Sequence, residues 1–235
     1  MHLLPPGELL MGLDVNARFE KVLVHAMHLN PDAVFLTGDF CASAPVQEIF
    51  HQLRARLDLL GVNCYLTPGN HDDREMLRNA FDLEGQNYEP IRGTVQVKNK
   101  DFLFLDSSTG KVNEEQIGWL TDALKAHPEA PIVMHHPPMP MGVAFMDRKY
   151  PLQETENLLS ALTADGHPRK IFCGHYHSNR TVNWKNLEVH ICPPASFYIN
   201  PHKEEFEQDF FPAGYLLLEW PEEGGLRVIP QYVES

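Results

Sequence analysis

At 235 residues, with 43% hydrophobic and 22% charged content, the chain has the composition of one sizeable globular domain. Its formal net charge of -13 opposes wrapping around a nucleic-acid backbone, which needs basic surface. No apolar run is long enough to span a bilayer, and the opening Met1-His2-Leu3-Leu4-Pro5-Pro6 lacks the basic start of a signal peptide.

In chain order, Val15, Phe19, Val22, Leu23, Ala26 and Met27 recur at helical spacing and predict an amphipathic helix over 15–27, stopped before Pro31. His25 and His28 read as helix-surface residues. Ala33-Val34-Phe35-Leu36-Thr37 reads as a strand that empties into Gly38-Asp39. A second helix is expected over 47–60, with Ser43 and Pro45 as start signals. The strand Asn63-Cys64-Tyr65-Leu66-Thr67 empties into Pro68-Gly69-Asn70-His71-Asp72, and a short helix over 72–81 comes next.

Residues 94–98 and 102–106 alternate around Asn99-Lys100 as a hairpin, and Asp106 at its end reads as a structural carboxylate or one that supports the ligands from behind. Asn113-Glu114-Glu115 caps a helix running to about His127. The strand Pro131-Ile132-Val133-Met134 leads into His135-His136-Pro137-Pro138. A proline- and methionine-rich loop over 137–146 is then expected to lie over the site. Its Met139, Met141 and Met146 read as packing around an apolar pocket.

A helix over 154–164 precedes the strand Arg169-Lys170-Ile171-Phe172-Cys173, which ends in Gly174-His175-Tyr176-His177. Gly174 is expected to free the backbone for a sharp turn there. Hairpins are predicted at 181–191 and 215–233, and 200–211 has no clear periodicity. Neither repeats nor a linker divide the chain, so 1–235 reads as a single domain. The scattered cysteines Cys41, Cys64, Cys173 and Cys192 read as reduced thiols, which points to a cytoplasmic protein.

Strands that run near-continuously apolar are typical of sheets buried on both faces. With helices between them they should be parallel, so their carboxyl ends share one edge, where ligand sites of open α/β sheets lie. Four loops then offer Asp39, Asn70, His135, His175 and His177 to one place. The set exceeds what a single catalytic zinc needs and mixes oxygen with nitrogen donors, which suits two borderline divalent ions such as Mn, Fe, Co or Zn.

Gly38-Asp39, Gly69-Asn70-His71-Asp72, His135-His136-Pro137-Pro138 and Gly174-His175-Tyr176-His177 resemble the ordered motif series of the calcineurin-like metallophosphoesterases. Within that superfamily the chain is most similar to bacterial class III cyclic-nucleotide phosphodiesterases and their glycerophosphodiesterase relatives. Gly12-Leu13-Asp14-Val15-Asn16-Ala17, Leu105-Asp106-Ser107-Ser108 and Pro193-Pro194-Ala195-Ser196 support the resemblance. It implies a four-layer α/β/β/α sandwich of two mixed sheets.

Family members open with a strand ending in Asp-X-His, and the residues after that histidine resemble those after His2. His2 would then be the motif histidine, with the Asp and the first strand missing from this chain. The resemblance makes Asp39 the bridging ligand. Asn70, His135 and His175 complete one site, and His2 and His177 hold the other. A metal-bridging hydroxide would be the nucleophile. His71 would steady phosphoryl oxygens or protonate the leaving alkoxide, with Asp72 as its orienter. Asn70, His71 and His202 are the substrate-binding candidates, Tyr176 is a further residue that could face substrate, and His136 reads as structural.

The leading expectation is a binuclear-metal phosphodiesterase acting on a small diester such as cyclic AMP, without polymeric nucleic-acid or membrane partners; a homodimer is compatible with it. The alternatives are glycerophosphodiester hydrolysis and a scaffold of the same family without turnover.

Overall fold

A computed structural model describes residues 1–234. Helix α1 (Val15–Met27) starts at Asp14, whose side chain accepts from the Ala17 N–H, and it buries Val15, Phe19, Val22 and Leu23. Strand β1 (Ala33–Leu36), helix α2 (Gln47–Asp58), strand β2 (Asn63–Leu66) and helix α3 (Arg74–Phe81) come after it. Asp73 caps α3 by accepting from Met76 N–H. No side chain caps α2, whose N-cap is Val46 rather than either expected start signal. Leu36, Phe40, Phe50, Leu53 and Leu77 pack into one core that joins β1 to these helices.

The larger sheet is built next. Strands β3 (Gly93–Val97) and β4 (Lys100–Leu105) form the expected hairpin, helix α4 (Glu114–Ala126) starts at the Asn113 cap, and β5 (Ile132–Met134) succeeds it. Residues 137–146 are not all loop: Ala144 begins a short helix, α5 (Ala144–Lys149), because Asp147 accepts from the backbone of Met141, Gly142 and Val143 and winds the chain. Met141 and Met146 are buried in the core rather than around an open pocket. Helix α6 (Glu156–Thr163), then β6 (Arg169–Cys173), β7 (Arg180–Trp184) and β8 (Leu187–Ile191) complete this unit. The strand order is β3-β4-β5-β6-β8-β7, with β4, β5, β6 and β8 mutually parallel.

Alternation along these strands makes two layers. Leu103, Leu105, Ile132 and Met134 share a core with Leu120 and Leu124 of α4 and Leu158 and Leu162 of α6. Phe102, Phe104 and Val133 point the other way, against Phe35 of β1 and Tyr65 of β2. The Phe35 ring lies 4.6 Å from Phe102 and 5.4 Å from Phe104, edge to face. Helices, sheet, sheet and helices therefore stack in the expected α/β/β/α order. The chain ends with β9 (Tyr198–Ile199), β10 (Gln208–Asp209), β11 (Ala213–Glu219) and β12 (Arg227–Val233), the last two a hairpin. Among the described residues, no helix is long and apolar enough to cross a membrane.

Strands β1 and β2 are only partly buried, contrary to the expectation of cover on both faces. The cause is a gap. Among the described residues β1 pairs only with β2, and β11 only with β12. The free edges of β1 and β11 line a cavity of about 920 Å³, with Phe19 and Val22 of α1 and Val133 and Phe172 of the large sheet among its other walls. Apolar side chains and two strand edges without a paired strand therefore face this cavity. The folded protein is expected to bind anilinonaphthalene sulfonate with enhanced, blue-shifted emission; a signal no greater than that of free dye would contradict an open cavity.

Candidate metal centre

The loops at the strand ends are held in unusual backbone. Asp39 (φ 54°), His175 (φ 65°), His177 (φ 47°) and His2 (φ 63°) are all left-handed. That conformation is rare for residues with a Cβ and clusters at functional sites. The turn after β6 is thus made by His175 and His177 themselves, not by Gly174, whose φ is not positive. Gly174 is needed for proximity: a Cβ there would come 2.9 Å from both the carbonyl and the hydroxyl of Thr37. Gly38 and Gly69 also face each other across the site. A Cβ on Gly38 would lie 2.7 Å from Nδ1 of His135, and one on Gly69 would fall on the Asp39 carboxylate.

His2 is buried and fixed, because its N–H and that of Leu3 donate to the carbonyls of Asp39 and Phe40, each at 2.7 Å. The other imidazoles are fixed through their rings. Nδ1 of His135 donates to Thr37 O (2.6 Å), Nδ1 of His177 to Phe197 O (3.0 Å), and Nε2 of His175 to Tyr150 O (3.0 Å). Nδ1 of His2 lies 3.3 Å from Ala42 O. A carbonyl can only accept, so each of these nitrogens carries the proton and the opposite nitrogen presents a lone pair.

Those lone pairs converge. Nε2 of His2 lies 3.0 Å from Nε2 of His177, and Nε2 of His135 lies 3.2 Å from both Nδ1 of His175 and Oδ1 of Asn70. Oδ2 of Asp39 stands between the groups, 3.2 Å from Nε2 of His135 and 3.4 Å from Nε2 of His2. Burial lowers the pKa of His2 and His177, and together with the neighbouring His135 it takes His175 down to about 3. Burial also acts on His135, but the Asp39 charge and hydrogen bond outweigh it and raise this group. Burial alone would raise Asp39; His135 and His2 hold it well below the usual carboxylate range.

Acceptors packed this closely repel unless a cation lies among them. The donor set fits such a cation: nitrogen and oxygen mixed, anionic at one point, with each imidazole tied back to a carbonyl as metal-ligating histidines are. Asp39, His2 and His177 form one group within ligating reach of a common point, and His135, His136 and His175 form a second, with Asn70 in contact with His135. The expected ligands therefore come together. The His136 ring lies 4.1 Å from that of His175 between centroids, and its Nδ1 and backbone N–H both bond the Ser107 hydroxyl.

Other expectations are corrected. Asp72 does not orient His71. Its carboxylate accepts from the backbone of Phe40 (2.8 Å), Cys41 (3.4 Å) and Gly69 (2.8 Å), so it staples two ligand loops together. Burial and the nearby Asp39 raise its pKa. His71 is oriented instead by Ser43, whose carbonyl accepts from Nδ1 at 3.0 Å, leaving Nε2 free beside the His2 ring. Tyr176 faces no substrate; it is fully buried, with Asp147 as its hydroxyl partner. His202 lies exposed on the turn after β9, where its backbone N–H donates to Asn200, and no hydrogen bond links it to the metal centre.

Asp106 is structural as expected, buried and bonded to Arg74 at 2.8 Å. The residues that sequence reasoning missed act through backbone carbonyls, which carry no side-chain signature: Thr37, Ala42, Ser43, Tyr150 and Phe197. The Phe197 ring also stacks on His177 at 4.0 Å.

Residues 13–179 match the family of calcineurin-like phosphoesterases. A probable cyclic nucleotide phosphodiesterase from Fibrobacter succinogenes is 26% identical over 94% of this chain and 87% of its own length. A probable glycerophosphodiester phosphodiesterase, GpdQ, from Arcobacter nitrofigilis is likewise 26% identical, over 99% of this chain and 90% of its own. Among solved structures, a dimetal phosphatase from Danio rerio superposes with a TM-score of 0.60 at 14% identity, covering 90% of this chain and 87% of that one, which supports the fold.

Divalent Mn, Co or Zn at about 100 times its dissociation constant is expected to stabilise the protein by about 2.7 kcal/mol. At roughly 2–4 °C per kcal/mol for a chain of this size, Tm should rise by roughly 5–10 °C. Gly69→Ala, which pushes a methyl group onto Asp39, is expected to abolish that rise. A melting curve indifferent to all these ions would contradict the assignment of the cluster.

Proposed function

The chain belongs to the calcineurin-like phosphoesterase family, and on that footing we propose that it is a two-metal phosphodiesterase acting on a small diester, a 3′,5′-cyclic nucleotide such as cyclic AMP foremost. The observation that carries the reading is the ring of buried lone pairs around an ionised Asp39. Asn70, His135 and His175 would hold one ion, His2 and His177 the other, and Asp39 both. Divalent ions bound there supply positive charge for the phosphoryl oxygens and a more acidic water for in-line displacement.

The chain's own residues do the rest. Asp39 keeps the two ligand groups in register, and its Oδ1 accepts the His71 backbone N–H at 3.0 Å, coupling the His71 loop to the centre. Ser43 holds Nδ1–H of His71, so Nε2 is the nitrogen left to work. When protonated, Nε2 donates to a phosphoryl oxygen or delivers its proton to the departing alkoxide. Such a step supplies typically ~10²–10⁴-fold in rate.

The net charge of -13 disfavours polymeric DNA as substrate, and the four free cysteines fit a reducing compartment such as the cytoplasm. Glycerophosphodiester hydrolysis is the second reading, favoured by the likeness to the Arcobacter protein over nearly the whole chain.

With added Mn the purified protein is expected to hydrolyse cyclic AMP and bis(p-nitrophenyl) phosphate. His71→Ala should lower kcat by about 100-fold or more while leaving bound metal unchanged. Rapid cleavage of long DNA without action on small diesters would overturn the reading.

A further inference from the structure

An aromatic wall rises from the metal centre that none of the ligand contacts requires. It begins at Phe197, whose ring stacks on His177 with 17° between planes. Phe206 is next at 6.3 Å, Phe145 at 5.8 Å from Phe206, and Tyr150 at 5.6 Å from Phe145, each pair close to edge-to-face. The far end returns to the centre, since the Tyr150 carbonyl holds His175. The wall therefore runs from one ligand histidine to another.

Two of its members are well exposed, Phe206 at 45% and Tyr150 at 52%, while Phe145 is half-buried and Phe197, at 8%, is buried against the centre. Single exposed aromatics need no explanation, but a contiguous set at the rim of a polar centre does. The set is also held still. Ala144 N–H donates to Pro201 O at 2.9 Å, and Asn200 N–H to Glu207 O at 2.8 Å. The Arg148 guanidinium bonds the carbonyl of Glu204 and the carboxylate of Glu205, both at 2.5 Å. The turn bearing Phe206 is thus clamped to the helix bearing Phe145.

We propose that Phe206, Phe145 and Tyr150 form a stacking shelf for a planar group carried by the substrate, a nucleobase, which would set the preference for nucleotides over glycerol diesters. The proposal rests on the phosphodiesterase reading and narrows its substrate class. A nucleobase has a face to offer such rings whatever its identity, whereas glycerol has none. Arg148 is already engaged by the acidic turn, so the shelf provides contact area without a fixed charge. It is therefore expected to hold adenine and guanine alike.

The test is equilibrium binding, which does not depend on turnover. Calorimetric titration of the metal-loaded protein with 5′-AMP and with glycerol 3-phosphate compares ligands that share a phosphate and differ in the base. AMP is expected to bind at least tenfold tighter, Phe206→Ala to erase most of that advantage, and Phe206→Trp to keep it. Phe145→Leu provides a second reading should Phe206→Ala fail to fold. In kinetics, Phe206→Ala should raise KM for cyclic AMP about 5–50-fold with little change in kcat, since a stacked base contributes to binding rather than to the reacting bond.

An AMP preference that is absent from the wild type, or unchanged in both variants, would overturn the shelf. A wild type that prefers AMP through Phe206 yet hydrolyses no diester would keep the shelf and sink the phosphodiesterase reading.

Discussion

One buried carboxylate, Asp39, organises this molecule. An ion of that size taken out of water costs several kcal/mol unless it is compensated, and the side chains nearest its carboxylate oxygen are the imidazoles of His135 and His2. Around it stand imidazole lone pairs that cannot hydrogen-bond to one another while their rings are neutral. The arrangement is unfavourable for a metal-free protein and favourable for one that binds divalent ions. Left-handed backbone at four of the candidate ligands has the same character, since it is strained on its own account and retained because the surroundings determine it.

The fold meets that constraint by close approach. The carboxyl ends of β1, β2, β5 and β6 arrive from two different sheets, so their loops must interlock rather than merely sit side by side. Glycines at 38, 69 and 174 remove the Cβ atoms that would keep the loops apart, and the Asp72 carboxylate ties the loop after β1 to the loop after β2 through three backbone N–H groups. The edge-to-face packing of Phe35 on Phe102 and Phe104 sets the distance between the sheets and hence between the halves of the site. The open flank beside β1 reaches the centre itself, with His2, Asp39, His135, His175 and His177 among the residues that line it.

Much of this was legible in the chain. The helix at 15–27 follows from its apolar spacing, the start of the helix at Glu114 from the Asn113 cap, and the convergence of the candidate ligands from polar residues placed where apolar strands end. His2 was legible only through the resemblance of the residues after it, because no periodicity or spacing marks a histidine at position 2. Other features had no local signal. Helix α5 has no apolar repeat and is wound by Asp147, and β9 and β10 are two residues each. The partners that choose each histidine's tautomer are carbonyls, which every residue carries. Gly174 misled because a glycine at a turn suggests backbone freedom, whereas here it serves contact with Thr37.

The central claim is that Asp39 is the shared ligand of two ions, and metal stoichiometry tests it most directly. Elemental analysis of the wild type and of Asp39→Asn, each dialysed against the same Mn-containing buffer, would compare bound ions per folded chain. The account predicts close to two in the wild type, with occupancy of both sites reduced in the variant because one carboxylate serves both. Unchanged metal content in Asp39→Asn, with circular dichroism reporting the native fold, would contradict it.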